Sequence, residues 1–336
     1  MNHINESKIN HRKRVYNNIT ELIGSRENPT PVIMINERIN TNPGFELGLK
    51  LERYNSFGSI KDRVALKMLK NTPVLKNQTI LEASSGNTAL ALAAMGNALN
   101  MPVEVAIPER APEEKKLLLK ILGVSELWEA EDELCPLFPN EGARGLAKGL
   151  AESVAYKGKY VYLNQYENAL NVQAHYESTG PEIWHQFDGK IDYFFAGFGT
   201  GATITGVAAF LKEQNPDIRV IGIEPAHKEH TLSGMKRISD LAEEYVPNIL
   251  DMSLIDEVVE VEDEAAYFMG IKLAREAGLL VGPSTGAIVD AARKFGAAHA
   301  GVGVAISPDD AFKYVHLYAD YLERYKQRQL AAEMVS

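Results

Sequence analysis

Short apolar runs and longer periodic stretches take turns along most of this chain. Residues 79–82, 103–107 and 192–196 are apolar enough to predict buried strands, and each precedes a stretch with the periodicity of a helix. Such strand–helix alternation is typical of parallel sheets covered by helices on both faces. The pattern therefore predicts an α/β fold with two open, mostly parallel sheets.

The other predicted elements continue the same alternation. Strands are predicted over residues 32–35, 46–51, 79–82, 103–107, 126–129, 160–163, 192–196, 219–224, 258–261 and 302–306. Helices are predicted over residues 16–23, 87–99, 113–122, 142–155, 175–187, 202–214, 262–277, 286–295 and 309–334, and one more begins near Lys61. From this order we expect a smaller, mobile α/β domain over residues 55–170 and a larger α/β domain formed by residues 1–54 and 171–336.

Composition and charge narrow the class of protein. The chain has 336 residues, of which 45% are apolar and 24% charged, as expected for a packed protein with two domains. Its formal net charge of −10 argues against binding to nucleic acid. No apolar run is long enough to span a membrane, and the first residues do not resemble an export signal.

Cysteine and histidine usage indicates neither internal disulfides nor a metal site. Cys135 is the only cysteine, so an internal disulfide is impossible, and a reducing cytoplasm is the expected location. The 8 histidines show no spacing typical of metal ligands, and we interpret His227 and His230 as surface residues. We therefore expect a protein without a metal, a membrane partner or a nucleic-acid partner.

One segment, Asn55-Ser56-Phe57-Gly58-Ser59-Ile60-Lys61-Asp62-Arg63, places a lysine where its chemistry changes. The segment joins a predicted strand to a predicted helix; Gly58 permits a tight turn, and Ser59 is a candidate N-cap. Lys61 then falls in the first helical turn, where the helix dipole and the charge of Arg63 both lower the lysine pKa. Such a lysine can form an imine with an aldehyde, although solvated helix residues are the simpler interpretation of these nine positions.

Three loops of small polar residues, 82–89, 197–203 and 281–287, are predicted at the sheet edge where ligands bind in open α/β folds. Free N–H groups at a helix start attract anions, and glycines let the backbone approach a phosphate. Each loop alone could be an ordinary capped helix start. The second loop also satisfies a dinucleotide-binding fingerprint, with Glu224 as the acid that would bind a ribose.

Taken together, these segments resemble the cysteine synthase and cystathionine β-synthase family, which are fold-type II enzymes that use pyridoxal 5′-phosphate (PLP). Residues 55–63 resemble the family motif Asn-Pro-x-Gly-Ser-x-Lys-Asp-Arg, with serine in place of proline. Residues 84–89 resemble its Ser-Gly-Asn-Thr-Gly loop, 199–203 its Gly-Thr-Gly-Gly-Thr loop, and 281–287 its Gly-x-Ser-Ser-Gly-Ala segment. The motifs occur in the family's order, so the resemblance implies a tryptophan synthase β-like fold.

The resemblance also implies a role for each matching residue. Lys61 would hold the cofactor as an imine and, once freed, would remove the substrate's α-proton as a general base. Ser284 would contact the pyridine nitrogen of PLP, and Asn87 its phenolic oxygen. The PLP phosphate would be bound by Gly199, Thr200, Gly201, Ala202 and Thr203. The substrate, chiefly through its carboxylate, would be bound by Ser84, Ser85, Asn87, Thr88 and Gln165.

The reaction implied by the resemblance is β-replacement on an activated L-serine. We expect O-acetylserine or O-phosphoserine to react with sulfide or another thiol and give L-cysteine, in a homodimer. For a phosphate leaving group, Lys236 or Arg237 is the candidate cation. The alternatives are a β-synthase or lyase that uses another nucleophile, as cystathionine β-synthase does, a nicotinamide-dependent dehydrogenase built on the second loop, and a non-catalytic binding protein.

Overall fold

The computed structural model describes residues 15–84, 86–131 and 140–333. Two residues singled out above, Ser85 and Cys135, lie outside these ranges. The described strands, in chain order, are β1 (Val32–Met34), β2 (Phe45–Leu51), β3 (Thr79–Ala83), β4 (Val103–Pro108), β5 (Leu127–Ala130), β6 (Tyr160–Tyr162), β7 (Tyr193–Gly197), β8 (Arg219–Pro225), β9 (Glu257–Val261) and β10 (Gly301–Ser307).

These strands form two separate sheets. Six strands pair in the order β1-β2-β10-β7-β8-β9, and four pair in the order β5-β4-β3-β6. Neighbouring strands run parallel throughout, except that β1 runs antiparallel to β2 at the edge of the larger sheet. The predicted fold class, with two open and mostly parallel α/β sheets, is therefore confirmed.

Helices pack against both sheets. The described α-helices are α1 (Lys61–Asn71), α2 (Asn87–Ala98), α3 (Glu113–Ile121), α4 (Gly142–Glu152), α5 (Ala169–Ala174), α6 (Gly180–Gln186), α7 (Ala202–Gln214), α8 (Asp263–Ala277), α9 (Pro283–Gly296) and α10 (Val315–Glu333). A wider helical turn over His175–Thr179 joins α5 to α6. Short 3-10 turns occupy Ile19–Leu22, Glu52–Tyr54, Val154–Tyr156, Glu243–Tyr245, Met252–Leu254 and Ala311–Tyr314. The first predicted helix, over residues 16–23, is thus only a single turn. Among the described helices, none has the length and apolar character to cross a membrane.

Three other predicted helix starts are wrong by several residues, and local caps explain two of them. The helix predicted from residue 175 begins at residue 169, because the Asn168 side chain caps α5. The helix predicted from residue 309 begins at Val315, because Asp310 caps a separate short turn first. Helix α9 begins at Pro283 and not at residue 286, so Ser284 lies in a helical turn and not in a loop.

A buried network of charged side chains ties α1 to the larger sheet. The Arg63 guanidinium contacts Glu52 (Nε–Oε2, 2.6 Å) and Glu182 (Nη1–Oε1, 2.5 Å), and Lys50 contacts Glu182 (Nζ–Oε2, 2.7 Å). All four side chains are buried, and each charge has a partner of opposite sign. Because removing one member would leave another buried charge unpaired, this network holds in place the helix that begins at Lys61.

The strands of the smaller sheet lie within residues 79–162, and those of the larger sheet lie on both sides of that range. The domain boundaries near residues 55 and 170, and the mobility of the smaller domain, stay predictions. Loops 82–89 and 197–203 follow the carboxyl ends of β3 and β7, as expected. The third loop follows α8 and not a strand, but Val281 pairs with Asp310 just beyond β10, which brings this loop to the same edge.

Candidate active site

Two adjoining chambers that share lining residues lie beyond the carboxyl ends of β3, β7 and β10. The inner chamber is lined by the loop after β7, the start of α9 and the first residue of α1. The outer chamber, with a volume of about 810 Å³, is lined by the loop after β3, the start of α3 and residues 312–316. Both chambers are lined by Lys61, Asn87, Gly199, Thr200, Ser233, Gly234 and Tyr314.

The predicted site residues separate between the chambers according to their predicted roles. Of the cofactor residues, only Ala202 does not line the inner chamber, since it is fully buried as the first residue of α7. Ser85 lies outside the described residues. The inner chamber holds the predicted residues Lys61, Asn87, Gly199, Thr200, Gly201, Thr203 and Ser284. The outer chamber holds the predicted substrate residues Ser84, Asn87, Thr88 and Gln165.

Lys61 lies on the wall that the two chambers share, as the first residue of α1. Burial lowers its pKa to about 8, and the nearby Asp309 carboxylate opposes that shift. The predicted direction is therefore correct, but burial is the main cause, and the Arg63 charge is held in the network described above. The helix cap is Ile60 and not Ser59, although the Ser59 hydroxyl still accepts the Lys61 N–H at 3.2 Å.

The loop after β7 forms a cradle that only glycine permits at two positions. Gly201 has a φ of +84°, and a Cβ there would lie 2.6 Å from the Leu250 Cβ. A Cβ on Gly199 would lie 2.8 Å from the carbonyl oxygen of Gly234. The loop leads directly into α7, whose first N–H groups have no partner within the helix. Close backbone approach and a helix N-terminus together make an anion site of phosphate size.

Behind this loop lies His175, which the sequence pattern did not identify as part of the site. Its Nε2 is 3.2 Å from the Thr203 hydroxyl, and its Nδ1 is 3.0 Å from the Thr179 hydroxyl. Burial lowers the His175 pKa to about 3, so the ring is neutral. The wide helical turn over His175–Thr179 sets this position, and single wide turns of this kind are frequent at functional sites.

The sequence pattern also missed Asp309 and Tyr314, which line the inner chamber together with Lys61. Asp309 lies two residues beyond the end of β10, and its Oδ2 accepts hydrogen bonds from Asn87 (2.7 Å) and from the Tyr314 hydroxyl. Burial raises the pKa of Asp309, and its Oδ1 has no hydrogen-bond partner among the described residues. The available signal was the position of Asp309 at the carboxyl end of the last strand, the edge where ligands bind.

The outer chamber combines buried polar groups with half-exposed basic ones. The Thr88 hydroxyl donates to Gln165 Oε1 at 2.8 Å, which joins two of the predicted substrate residues. Half-buried Lys115, Lys236 and Lys313 also line this chamber. Lys313 donates to the carbonyl oxygens of residues 57 and 58, whereas the ammonium groups of the other two make no ion pair among the described residues. No motif in the sequence distinguished Lys115 or Lys313 from solvated lysines.

Two candidate residues are engaged elsewhere. Arg237 does not line either chamber; its guanidinium binds the carbonyl oxygens of Pro225 and Ala226 and the carboxylate of Glu260. Glu224 is fully buried, and its Oε2 accepts the backbone N–H groups of residues 238 and 239. The arginine is thus the wrong candidate for a leaving-group cation, and the glutamate is not free to bind the ribose of a dinucleotide.

The inner chamber fits PLP in the chemistry of its groups. Lys61 offers an amine of lowered pKa for the aldehyde, and Ser284 offers a hydroxyl for the pyridine nitrogen. Asn87 offers an amide, and the cradle before α7 offers an anion site for the phosphate. Among the described residues no group of three or more His, Cys, Asp or Glu side chains could hold a metal ion. The exposed His227 pairs with Glu262.

Similarity to known proteins agrees with the choice of cofactor. A family described as pyridoxal-phosphate dependent enzymes matches residues 23–309. The cysteine synthase of Aquifex aeolicus is 38% identical over 308 residues, which cover 88% of this chain and 90% of that protein. The structure resembles that of O-acetylserine sulfhydrylase isoform 3 from Entamoeba histolytica (TM-score 0.80, 26% identity, 91% of each chain). It also resembles a hydrogen sulfide-producing enzyme from Fusobacterium nucleatum (TM-score 0.77, 32% identity, 89% of this chain and 100% of that one).

Proposed function

We infer that this chain, which belongs to the pyridoxal-phosphate dependent enzymes and within them to the cysteine synthase family, forms L-cysteine by β-replacement on an activated L-serine. The match over residues 23–309 confirms the predicted family and its cofactor, PLP. O-acetylserine or O-phosphoserine is the amino-acid substrate, and sulfide or another thiol supplies the sulfur.

The observation that carries this function is the position of Lys61 between the two chambers. Its amine, with a pKa of about 8, faces the cofactor groups on one side and the substrate groups on the other. When bound, PLP withdraws electrons from the substrate's Cα, so that the α-proton becomes acidic and a group can leave Cβ. A lysine with this pKa is about half neutral near pH 8, and the neutral amine can then take the α-proton at Nζ.

The remaining residues bind and orient the substrate. We assign its carboxylate to the start of α2, where Ser84, Thr88 and Gln165 line the outer chamber. The hydroxyl of Ser284 cannot hold a proton on a pyridine nitrogen as a carboxylate can, which favours β-elimination over chemistry that needs a stronger electron sink. Closure of the smaller domain over the substrate would exclude water from the reacting Cβ.

The outer chamber supports an anionic leaving group through its lysines. Lys236, the remaining candidate for this cation, lines the chamber, and Lys115 and Lys313 add two further positive charges. Among the described residues that line this chamber, Glu114 is the one with a carboxylate, so positive charges outnumber negative ones. The balance of charge favours a doubly negative phosphate over a neutral acetyl group, so we propose O-phosphoserine as a substrate beside O-acetylserine.

The function is tested by offering the purified holoenzyme O-acetyl-L-serine, O-phospho-L-serine and L-serine, each with sulfide or with homocysteine. We expect L-cysteine from one or both activated serines with sulfide, and little product from L-serine. Formation of cystathionine alone would support the related synthase instead. Oxidation of NADH without any amino-acid product would overturn the proposal in favour of a dehydrogenase. The Lys61→Ala enzyme is the control for non-enzymatic reaction of sulfide.

Two finer expectations belong to this proposal. We propose that the enzyme acts in the cytoplasm, in keeping with its single cysteine. We also propose that it acts as a homodimer. Light scattering on a size-exclusion column measures the mass directly, and a mass near the 37.1 kDa of one chain would contradict the homodimer.

A further inference from the structure

An acidic side chain lies buried beneath the outer chamber, and the roles assigned above do not use it. Glu82 is the next-to-last residue of β3 and has no exposed surface. Its Oε1 lies 3.4 Å from Gln165 Nε2, and its Oε2 has no hydrogen-bond partner among the described residues. The loop that follows β3 begins two residues later, at Ser84, so this carboxyl group supports the substrate wall from inside.

Glu82 is the first member of a chain of contacts that ends in the chamber. Gln165 Nε2 also lies 3.4 Å from the carbonyl oxygen of Ala83, and Gln165 Oε1 accepts the Thr88 hydroxyl at 2.8 Å. Both Gln165 and Thr88 are buried and line the outer chamber. An amide held from behind at its nitrogen keeps its oxygen in one place, which in turn fixes the direction of the hydroxyl that binds to it.

The same amide is coupled to the cofactor cradle. Asn171 Nδ2 donates to the backbone oxygen of Gln165 at 2.7 Å and lies 3.3 Å from the Thr200 hydroxyl. Glu82, Gln165 and Asn171 therefore form one buried polar connection between the substrate wall and the loop after β7. Such connections position groups that touch ligands without touching the ligands themselves.

The charge of Glu82 depends on its surroundings. Burial raises its pKa to about 8, against the opposing effects of the backbone N–H groups of Gln165 and Ala83, the side-chain amide of Gln165 and the Arg144 guanidinium. Among the described residues, Tyr162 on β6 also interacts with Glu82, and burial raises the pKa of Tyr162 too. Near pH 7 the carboxyl group is neutral and does not repel a substrate carboxylate, whereas its ionised form would place a negative charge behind the same wall.

We propose that Glu82 is a positioning residue, whose neutral carboxyl group holds Gln165 and Thr88 in the orientation that binds the carboxylate of the amino-acid substrate. The inference rests on the proposed function, because it assumes that an amino acid binds in the outer chamber. It predicts that amino-acid binding weakens when Glu82 loses its proton, and that a neutral isostere removes this part of the pH dependence.

The test measures binding and not turnover. L-alanine, which has no leaving group, is titrated into the holoenzyme between pH 6.5 and 9.5, and the absorbance of bound PLP reports its Kd. Ionisation of the ligand's own amino group affects every variant equally, so the ratio of Kd between variant and wild type is the quantity compared. We expect Glu82→Gln to match the wild type at low pH and to bind about tenfold more tightly at the highest pH, the effect of removing one like charge.

Two further variants separate positioning from a general structural role. Glu82→Leu removes both the charge and the acceptor for Gln165, so its Kd should exceed that of Glu82→Gln at every pH by about fivefold to tenfold, as expected for one buried hydrogen bond. The matched control is Glu104→Gln on the neighbouring strand β4, where the carboxylate is buried but binds Tyr160, Trp128 and Lys159. This control should lower the melting temperature and leave the pH dependence of Kd as in the wild type.

The outcomes distinguish this inference from the proposed function. If L-alanine never changes the PLP absorbance of the wild type, the proposed function fails. If it binds but Glu82→Gln keeps the wild-type pH dependence, the inference fails alone. Should the variants not fold, carbon-13 NMR of glutamate carboxyl groups in the wild-type holoenzyme decides the question. A carboxyl group titrating above pH 7 supports a neutral Glu82, and titration of every glutamate below pH 6 would overturn the proposal.

Discussion

The inner and outer chambers share Lys61 and Asn87 but are built in different ways. The inner chamber is formed largely by short loops at strand ends, in which a Cβ added at Gly199 or Gly201 would meet neighbouring atoms. The outer chamber also uses long side chains from distant segments, such as Lys115 on α3 and Lys313 before α10. These lysines are half-buried and have several rotatable bonds.

This difference indicates that the inner chamber positions the cofactor and that the outer chamber selects the substrate. A rigid chamber positions the cofactor, so changes there should affect every substrate at once. A chamber lined by adaptable, charged side chains can favour one leaving group over another without altering the chemistry at Lys61. Mutations in the two chambers should therefore differ both in the size of their effects and in the number of substrates affected.

The largest effect is expected for Lys61→Ala, which removes the amine common to both chambers. Turnover should fall by at least about 10²–10⁴-fold, the usual contribution of a positioned base, for every substrate. The variant should still bind PLP, but borohydride should produce no covalent adduct. Lys70→Ala is the matched control, because Lys70 is exposed at the other end of the same helix and should retain full activity.

The next largest effect is expected for Gly201→Ala in the inner chamber. The added Cβ would meet Leu250, and alanine is strained at the φ of +84° found there. Overpacking of this kind costs about 1–3 kcal/mol, so the Kd for PLP should rise by roughly tenfold or more. Equilibrium dialysis with PLP measures it. Gly149→Ala on α4, where a Cβ meets nothing within 4 Å, should leave the affinity unchanged. Equal affinity in both variants would contradict the assignment of Gly201 to the phosphate site.

A smaller and more selective effect is expected for Lys236→Met in the outer chamber. It removes a charge near the leaving group, so kcat/KM for O-phosphoserine should fall by roughly tenfold, the contribution of one charge-assisted hydrogen bond partly screened by water. Turnover of O-acetylserine should barely change. The exposed Lys228→Met is the control. Equal losses for both donors would mean that the outer chamber does not select the leaving group.

The smallest effect is a change of shape on binding. If the smaller domain over residues 55–170 closes on the substrate, small-angle scattering should show a slight decrease in the radius of gyration when L-alanine is added to the holoenzyme. The measurement compares wild type with Lys61→Ala, in which exchange of the amino acid onto the cofactor is impaired. An identical radius of gyration with and without ligand in the wild type would contradict domain closure.

Much of the fold could be predicted because its signals are local. Buried strands of a parallel sheet are apolar throughout, so residues 192–196 and 302–306 stood out, and helix α7 was predicted with the bounds it has, residues 202–214. Helix starts were less predictable where a polar side chain competes with the helix. Asp310 caps a short 3-10 turn, so α10 begins only at Val315. Hydrophobic periodicity does not show whether a polar side chain will cap such a turn.

The inner chamber was predictable for a similar reason, since its lysine, glycines and hydroxyls occur in compact motifs. Asp309 was missed because it accepts a hydrogen bond from Asn87 across 222 residues of chain, and Tyr314 was missed because it donates to Asp309. Lys115 and Lys313 of the outer chamber were missed because only tertiary packing distinguishes them from surface lysines, whereas Lys236 was among the candidates. Arg237 was wrongly predicted for a related reason. Its guanidinium binds Glu260, and this tertiary contact cannot be read from the sequence.

Covalent attachment of the cofactor to Lys61 can be measured directly. The purified holoenzyme is reduced with borohydride and digested, and the peptides are analysed by mass spectrometry. We expect a pyridoxyl phosphate adduct on the peptide that contains Lys61, together with loss of the visible absorbance of the cofactor. An adduct on a different lysine, or no adduct from a protein that binds PLP, would contradict it.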